Sequence, residues 1–348
     1  FGVDFTNGAL TEEGTRRVAQ GILAHGVTSF LPTVITSAKA TYHAVLPVLR
    51  SVQHADRSST GANILGLHLE GPFISPHKKG AHEPAYICPE VRSLQSIYDM
   101  YGVENMPDVR LITLAPELPG ALAAIEGLTA AGVMVSIGHS RATIEEGALA
   151  CQNGARKITH LFNAMSSFHH RDPGLLGLLG LSKRRNVHYG IIPDGFHAHP
   201  AAVKIAYDAH PSGAILVTDA MCAMGLPTGQ HKLGTKEVTI VESQTLEGRL
   251  EKKAFLTHAP ETLAGSVVSM EEGIDNFLAF TGCSIAEALN AASFAPAKAL
   301  GLLHRKGSLR PGADADFVLL DPHSLVVQKT FVGGQLAYHA PARPSNAK

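Results

Sequence analysis

The chain has no tryptophan, few aromatic residues, few cysteines and no excess of charge of either sign. Aromatic residues make up 6% of its 348 residues, and 29 basic residues stand against 30 acidic ones. Balanced charge gives no general attraction to nucleic acid or to an anionic membrane surface. The 4 cysteines are scattered without a Cys-x-x-Cys spacing, which argues against a thiolate zinc site and a disulfide framework. A reducing, cytoplasmic location is expected.

The sequence also lacks an apolar run long enough to span a membrane, and it lacks an N-terminal signal region. With 45% hydrophobic residues, it can bury one large core and still supply a small appendage. The chain begins at Phe1 rather than at a methionine, so an upstream segment is expected to be missing.

Short apolar runs alternate with segments of helical periodicity up to residue 219. Seven runs predict strands, over residues 27–34, 64–70, 109–115, 133–138, 157–161, 187–192 and 215–219. Helices are predicted between them, over residues 11–25, 38–52, 118–131, 143–153 and 200–210. Continuous apolar strands separated by helices indicate a parallel sheet that is covered on both faces.

Seven strands do not close a regular eight-stranded barrel. We therefore predict an α/β fold in which residues 1–304 form a (β/α)8 TIM-type barrel that lacks its first strand. Within that range, residues 232–256 predict an excursion of short strands, and a helix pair follows over 270–280 and 285–303. Residues 305–348 predict part of a small β domain. An open doubly wound sheet is the alternative, but the glycine loop typical of nucleotide sites is not found.

Polar residues follow the strands at the end where barrel enzymes carry their chemistry. These residues are Glu70, Glu117, His139, His160, Asp194 and Asp219. Glu70, His139 and His160 match the three protein ligands of a catalytic zinc that keeps one position for water. Each could instead be a hydrogen-bonded barrel residue, but their convergence at one face favours a metal. The expected cofactor is one divalent ion, with zinc preferred over iron, manganese or cobalt.

Two further residues are candidates for acting on water or substrate. Asp219 would serve as general base and then as general acid. Its alternatives are a further metal ligand or a structural carboxylate. His82 follows the strand of Glu70 by a loop that lets it reach back over the site and polarise a carbonyl. The alternative for His82 is a solvated loop histidine.

The loops after His160 carry candidates for binding an anionic substrate. Asn163 and Ala164 follow His160 closely, and residues 168–174 form a cationic, turn-rich loop. The guanidinium fork of Arg171 could hold a phosphate, or it could form a surface salt bridge. His197 ends a further strand segment and is a candidate contact for a hydroxyl or a phosphate.

These residues lie in motifs that resemble the N-acetylglucosamine-6-phosphate deacetylase family of the amidohydrolase superfamily. The matching segments run in family order: Gly66-Leu-His-Leu-Glu-Gly-Pro-Phe-Ile-Ser75, Lys79-Gly-Ala-His82, Ser136-Ile-Gly-His-Ser140, Thr159-His-Leu-Phe-Asn-Ala-Met165, His170-Arg-Asp-Pro-Gly174, Asp194-Gly-Phe-His197, Val217-Thr-Asp-Ala220 and Leu263-Ala-Gly-Ser266. The resemblance implies a barrel with a small β-sandwich domain, a homodimer, and hydrolysis of the N-acetyl group of a sugar 6-phosphate.

The resemblance also implies roles for individual residues. Glu70, His139 and His160 would bind the metal, Asp219 would be the acid/base, and His82 would help to polarise the acetyl carbonyl. Asn163, Ala164, Arg171 and His197 would bind the sugar phosphate, some of them across the dimer interface. His82 would also contact the substrate, and Leu263, Ala264 and Gly265 would lie near it. The expected partner is therefore a small amino sugar phosphate, and neither nucleic acid nor a membrane.

The chain departs from the family pattern at its start, where relatives carry sandwich strands and a first barrel strand. Many amidohydrolases place a His-x-His pair on that strand, and this family usually replaces it, so one metal is expected. If this chain were the whole protein, poor folding or no activity would be expected. Two other functions stay open: an amidohydrolase for another acylated amine or a cyclic amide, and a non-catalytic relative.

Overall fold

The computed structural model describes residues 1–55, 61–233, 236–244 and 250–341; the side chains of 182–185, 233, 236, 244, 250, 251 and 259–263 are not described. In chain order the strands are β1 Ser29–Phe30, β2 Thr33–Ile35, β3 Asn63–Ile64, β4 Leu67–Glu70, β5 Val109–Leu114, β6 Met134–Ile137, β7 Lys157–Ile158, β8 His188–Ile191, β9 Ala214–Leu216, β10 Gly229–Leu233, β11 Lys236–Gln244, β12 Leu250–Leu256, β13 Ala259–Gly265, β14 Phe317–Leu320, β15 Val327–Val332 and β16 Gln335–His339.

Helices alternate with the first strands; the periodicity predicts those that begin within residues 11–25, 38–52, 118–131, 143–153 and 200–210, but not those that begin at Leu94 and Leu178. The helices are α1 Glu12–Gly21, α2 Lys39–His54, α3 Leu94–Tyr101, α4 Ala121–Ala130, α5 Ile144–Gln152, α6 Leu178–Arg185, α7 Pro200–Ala209, α8 Met270–Thr281, α9 Ile285–Ala292 and α10 Phe294–Ala299. Several begin at capping boxes that the sequence encodes, such as Thr143 with Glu146 at α5 and Ser269 with Glu272 at α8. Among the described residues, no helix is long and apolar enough to cross a membrane.

The central sheet contains seven parallel strands in the order β2-β4-β5-β6-β7-β8-β9. This confirms the predicted α/β fold with a parallel sheet. Its strands and the surrounding helices bury one large apolar cluster, which includes Leu69, Ile112, Val135 and Ile158. Within the described part of the chain, the outer edges of β2 and β9 pair with no further strand of this sheet.

The sheet is strongly curled. Three strand spacings separate β4 from β7, which is roughly 14 Å in a flat sheet. Nevertheless, the Oε1 atom of Glu70, at the end of β4, lies 3.3 Å from the Nε2 atom of His160, just after β7. Likewise, the Thr113 and Thr159 hydroxyls meet across β6 at 2.9 Å. The concave face is therefore an interior that gathers side chains from non-adjacent strands.

Two predicted strands and one predicted helix are interrupted in the structure. The 27–34 run divides into β1 and β2 around Pro32, which has no N–H to donate to a ladder. The 64–70 run divides into β3 and β4 at Gly66, where an added Cβ would clash with the Arg110 side chain. The 285–303 helix divides into α9 and α10 at Ser293, because Pro296 cannot donate to the carbonyl of residue 292.

Two antiparallel sheets follow the central sheet. The predicted excursion is the sheet β10-β11-β12-β13, and the tail forms the sheet β14-β15-β16. The Lys253 ammonium of β12 lies 4.0 Å from the ring centroid of Phe196, which is in the loop after β8. In the tail sheet, the Thr330 hydroxyl donates to the Leu23 carbonyl at 2.8 Å.

Tight packing on the concave face predicts the effect of one added methyl group. At Gly190 of β8, a Cβ would lie 2.0 Å from the Thr159 carbonyl oxygen and 3.1 Å from the Lys157 Nζ atom. We expect Gly190→Ala to lower the free energy of unfolding by roughly 1–3 kcal/mol, because the interior must shift to admit the methyl group. Chemical denaturation measures this loss.

Gly180→Ala in α6 is the matched control, since a Cβ there would meet no heavy atom within 4 Å. In a helix, that exchange should increase the free energy of unfolding by roughly 0.5–1 kcal/mol. Equal stability of the two variants would contradict the packing argument.

Candidate metal centre

Three predicted ligands converge at one end of the curled sheet. Glu70 is the last residue of β4, while His139 and His160 each lie two residues beyond β6 and β7. The Glu70 Oε1 atom is 2.8 Å from His139 Nε2 and 3.3 Å from His160 Nε2, and the two imidazole atoms are 3.0 Å apart. All three residues are at most 5% exposed. The described residues contain this one group with the geometry to hold a metal ion.

The hydrogen bonds of the two imidazoles show whether a cation fits here. The Nδ1–H of His139 donates to the Lys78 carbonyl at 2.9 Å, and that of His160 donates to the Asn163 carbonyl at 3.2 Å. These bonds select the tautomer whose Nε2 carries a lone pair. Both lone pairs then face each other and a carboxylate oxygen, an arrangement that a divalent cation or a proton must stabilise. The donor set therefore fits a divalent metal ion.

The charges of the cluster stabilise one another. Burial would raise the pKa of the Glu70 carboxyl, but hydrogen bonds with His139, His160 and His82 lower that pKa well below its usual range. Burial would lower the pKa of His160, but Glu70 and the charge of Asp219 raise it to about 9. Without a metal, this imidazole therefore holds the proton that neutralises the carboxylate.

The ligand loops adopt backbone conformations that few residues favour. His139, Ala164 and Asp219 have φ of 49°, 51° and 46°, in the left-handed region. For residues other than glycine, this region costs roughly 1–3 kcal/mol each. The surrounding contacts must therefore hold the turns that follow the strands.

His82 reaches back over the cluster, as predicted from its spacing. Its Nδ1 atom is 2.7 Å from the Thr36 hydroxyl, and its Nε2 atom is 3.5 Å from the Glu70 Oε1 atom. Only 4% of His82 is exposed, so the solvated alternative is wrong. Burial lowers the pKa of His82, and Glu70 partly offsets this effect. The imidazole can therefore stay neutral and donate from one nitrogen.

A buried polar network lies between the metal ligands and the far end of the sheet. The His68 imidazole is 2.9 Å from both the Thr33 and Thr113 hydroxyls, and Thr113 continues to Thr159. Burial lowers the pKa of His68 to about 4 and that of Lys157 to about 8. The Lys157 ammonium donates to the Thr159 carbonyl at 2.9 Å. Hydroxyl and carbonyl partners thus satisfy these buried polar groups.

Other predicted residues border a cavity of about 1490 Å³ that opens onto the cluster. Those that line it are His82, Asn163, Ala164, His197, Asp219, Ala264 and Gly265. Asp219 is exposed at the cavity and lies three residues beyond β9. The side chain of Leu263 lies outside the described part of the chain. Arg171 is exposed and is not among the residues that line this cavity.

Two carboxylates that the sequence placed at strand ends support these loops. Asp194 accepts hydrogen bonds from the Phe196 and His197 amides at 2.9 and 2.8 Å, and its other oxygen lies 2.5 Å from His197 Nδ1. The Nε2 atom of His197 is thereby left available to the cavity. Glu117 accepts from Ser140 and Arg141 beside His139. No sequence pattern assigned either carboxylate a partner, since both contacts depend on loop geometry.

The amidohydrolase family model matches residues 4–337. The chain belongs to the amidohydrolase family. This amidohydrolase is 47% identical to the N-acetylglucosamine-6-phosphate deacetylase of Danio rerio, over 96% of this chain and 80% of the relative. It is also 47% identical to the N-acetylglucosamine-6-phosphate deacetylase of Homo sapiens, over 98% of this chain and 81% of the relative. The resemblance inferred from the motifs is confirmed.

A solved structure shares the fold of this amidohydrolase. It is an aspartate-to-alanine variant of the Mycobacterium smegmatis N-acetyl-D-glucosamine-6-phosphate deacetylase, in complex with N-acetyl-D-glucosamine-6-phosphate. The TM-score is 0.83 at 32% identity, and the match covers 97% of this chain and 83% of that one.

The raised pKa of His160 predicts how metal binding depends on pH. Below about pH 9 the metal-free site carries a proton on this imidazole, and a metal must displace it. The affinity for zinc should therefore fall as the pH is lowered, by about tenfold per pH unit for one released proton. Titration of the metal-free protein against a competing chelator, from about pH 6 to about pH 9, measures this dependence. An affinity that stays constant across that range would contradict the assignment.

Proposed function

We propose that this amidohydrolase hydrolyses the N-acetyl group of N-acetylglucosamine 6-phosphate to give glucosamine 6-phosphate and acetate. One observation carries the proposal: a buried Glu70, His139 and His160 cluster with the geometry of a metal site opens onto a large cavity. The deacetylases that share 47% identity with the chain supply the substrate class. The cavity is wide enough for a sugar phosphate.

Glu70 and the Nε2 atoms of His139 and His160 would hold one divalent ion, for which we propose zinc. A bound divalent ion supplies Lewis acidity and lowers the pKa of water at the site. The Lys78 and Asn163 carbonyls accept hydrogen bonds from the two imidazole rings and so hold their Nε2 atoms towards the ion site.

Asp219 would move the proton. Its carboxylate stands at the rim of the cavity, and its charge acts on the nearby His160 and Lys157 side chains. We infer that it takes a proton from the attacking water and delivers it to the departing sugar amine. An exposed position suits this role, because the leaving group must depart into the same opening.

His82 would stabilise the oxyanion that develops on the acetyl carbonyl. Thr36 holds its Nδ1 side, so its Nε2–H faces the ligand cluster, 3.5 Å from the Glu70 Oε1 atom, where the acetyl carbonyl would lie. Asn163, Ala164 and His197 would contact the sugar phosphate, and Ala264 and Gly265 would lie beside it. Their places around the cavity support these roles.

The position of Arg171 supports the proposed homodimer. Its loop is exposed and includes Phe168, an aromatic residue that is 62% exposed. We propose that this loop meets a second subunit and that Arg171 binds the phosphate in the partner's cavity.

A cytoplasmic location, the domain division at residue 305 and the β-sandwich also remain predictions. A further strand between β2 and β9 is also a prediction. The cavity supports it, because residues of both of these edge strands line the cavity.

Asp219→Asn tests the proton-transfer role. The amide cannot accept a proton, so kcat for acetate release should fall by roughly 100-fold or more. Metal content should stay unchanged, because Asp219 is outside the ligand cluster. Asp208→Asn is the matched control, since Asp208 pairs with Lys204 on the surface of α7 and should leave turnover unaltered. Undiminished turnover in the Asp219 variant would remove this residue from the mechanism.

Mixed dimers test the placement of Arg171. Arg171→Ala should raise KM for the phosphorylated substrate, while N-acetylglucosamine without phosphate should be insensitive. Mixing this variant with Asp219→Asn subunits should restore about a quarter of wild-type activity, because half of the random dimers are heterodimers with one intact site. No recovery would show that Arg171 acts within its own subunit, whereas an unchanged KM in Arg171→Ala itself would show that Arg171 does not bind the substrate. Equal losses with both substrates would favour an amidohydrolase for another acylated amine.

A further inference from the structure

The loop after β6 carries the metal ligand His139 in a strained backbone conformation. Glu117, in the loop after β5, binds this loop through contacts that have no part in the proposed chemistry. Glu117 lies three residues beyond β5 and is half-buried. One carboxylate oxygen accepts from the Ser140 hydroxyl at 2.6 Å, and the other accepts from the Arg141 amide at 2.7 Å. Both donors follow His139 directly in the chain.

The same contact extends to the loop after β7. The Ser140 amide donates to the Ala164 carbonyl at 3.0 Å, and the Ser140 hydroxyl accepts from the Ala142 amide at 2.9 Å. Ser140 is fully buried, so these bonds have no competing water. Glu117 therefore connects three successive strand-end loops, of which two carry residues with left-handed backbone, His139 and Ala164.

The remaining contacts of His139 show what Glu117 adds. The His139 ring donates to the Lys78 carbonyl, and its own carbonyl accepts from the Ser75 amide at 2.9 Å. Both of these partners lie in the loop after β4. Beyond His139 in the chain, the Ser140 hydroxyl and the Arg141 amide are held by Glu117. Without that carboxylate, the left-handed turn could relax to an ordinary conformation and move the imidazole.

We propose that Glu117 is a positioning residue for the metal centre: its bidentate contact with Ser140 and Arg141 holds the His139 turn so that the imidazole Nε2 points at Glu70. The inference rests on the proposed function in one respect, that the cluster binds a divalent metal. The positioning role depends on the hydrogen bonds that Glu117 accepts and not on its negative charge.

Zinc titration of the metal-free protein against a chromogenic chelator tests this proposal. Glu117→Ala removes both acceptors and should weaken zinc binding roughly 10- to 100-fold. Glu117→Gln should keep most of the affinity, because its amide oxygen can accept from Arg141 and its amide N–H can donate to the Ser140 hydroxyl. Ser140→Ala removes one of the two bonds and should cause a smaller loss; it also serves if Glu117→Ala does not fold.

Asp321→Ala is the matched control. Asp321 accepts from the His323 and Ser324 amides in a turn of the tail sheet, far along the chain from the ligands. It should lower Tm without changing zinc affinity. Wild-type zinc affinity in Glu117→Ala or in Ser140→Ala would overturn the proposal. So would equal losses in Glu117→Ala and Glu117→Gln, because they would indicate charge. If the wild-type protein failed to bind zinc, the proposed function would fail as well.

Discussion

Two imidazole lone pairs and a carboxylate oxygen meet in a buried site at the end of the cavity, and the rest of the structure depends on a positive charge between them. The Nε2 atoms of His139 and His160 are 3.0 Å apart, beside the Glu70 Oε1 atom. Because each Nδ1–H is bound to a carbonyl, neither ring can turn to relieve the repulsion. A proton or a divalent cation is therefore part of the stable state of this site.

The scaffold serves that cluster by bringing distant strands together. In a flat sheet the ends of β4 and β7 would be too far apart to share an ion, so the curl of the sheet creates the site. Hydrogen bonds connect His68, Thr113 and Thr159 on the concave face and satisfy the polar groups of these side chains. This packing gives the ligands fixed supports, which a catalytic metal requires.

The buried metal ligands and the exposed Asp219 have different chemical roles. The three ligands are nearly inaccessible, whereas Asp219 lies at the edge of the cavity. A ligand needs one fixed position, but a group that transfers protons must meet water, substrate and product in turn. The carboxylates of Asp194 and Glu117 neither bind the metal nor transfer protons. They hold the loops that carry His197 and His139.

Much of the fold could be predicted from local patterns. Apolar runs and helical periodicity identified the strands of the central sheet, since both patterns reflect burial on a parallel sheet. Errors arose where a single residue interrupted a pattern: Gly66 divides the second run, Pro32 divides the first run, and Pro296 divides the last helix. At the two prolines the apolar pattern continues across the break, so the hydrophobic pattern gave no sign that an N–H donor was missing.

The sequence by itself determined which residue types stand at the strand ends, and hence that Glu70, His139 and His160 were candidates for one metal. Tertiary structure alone decided their distances, the tautomers of the two imidazoles, the burial of His82 and the contacts of Glu117. The positions of strands in the sequence follow from periodicity along the chain, whereas these features depend on the curl of the sheet and on the paths of its loops. Such long-range contacts leave no periodic signal in the amino-acid sequence.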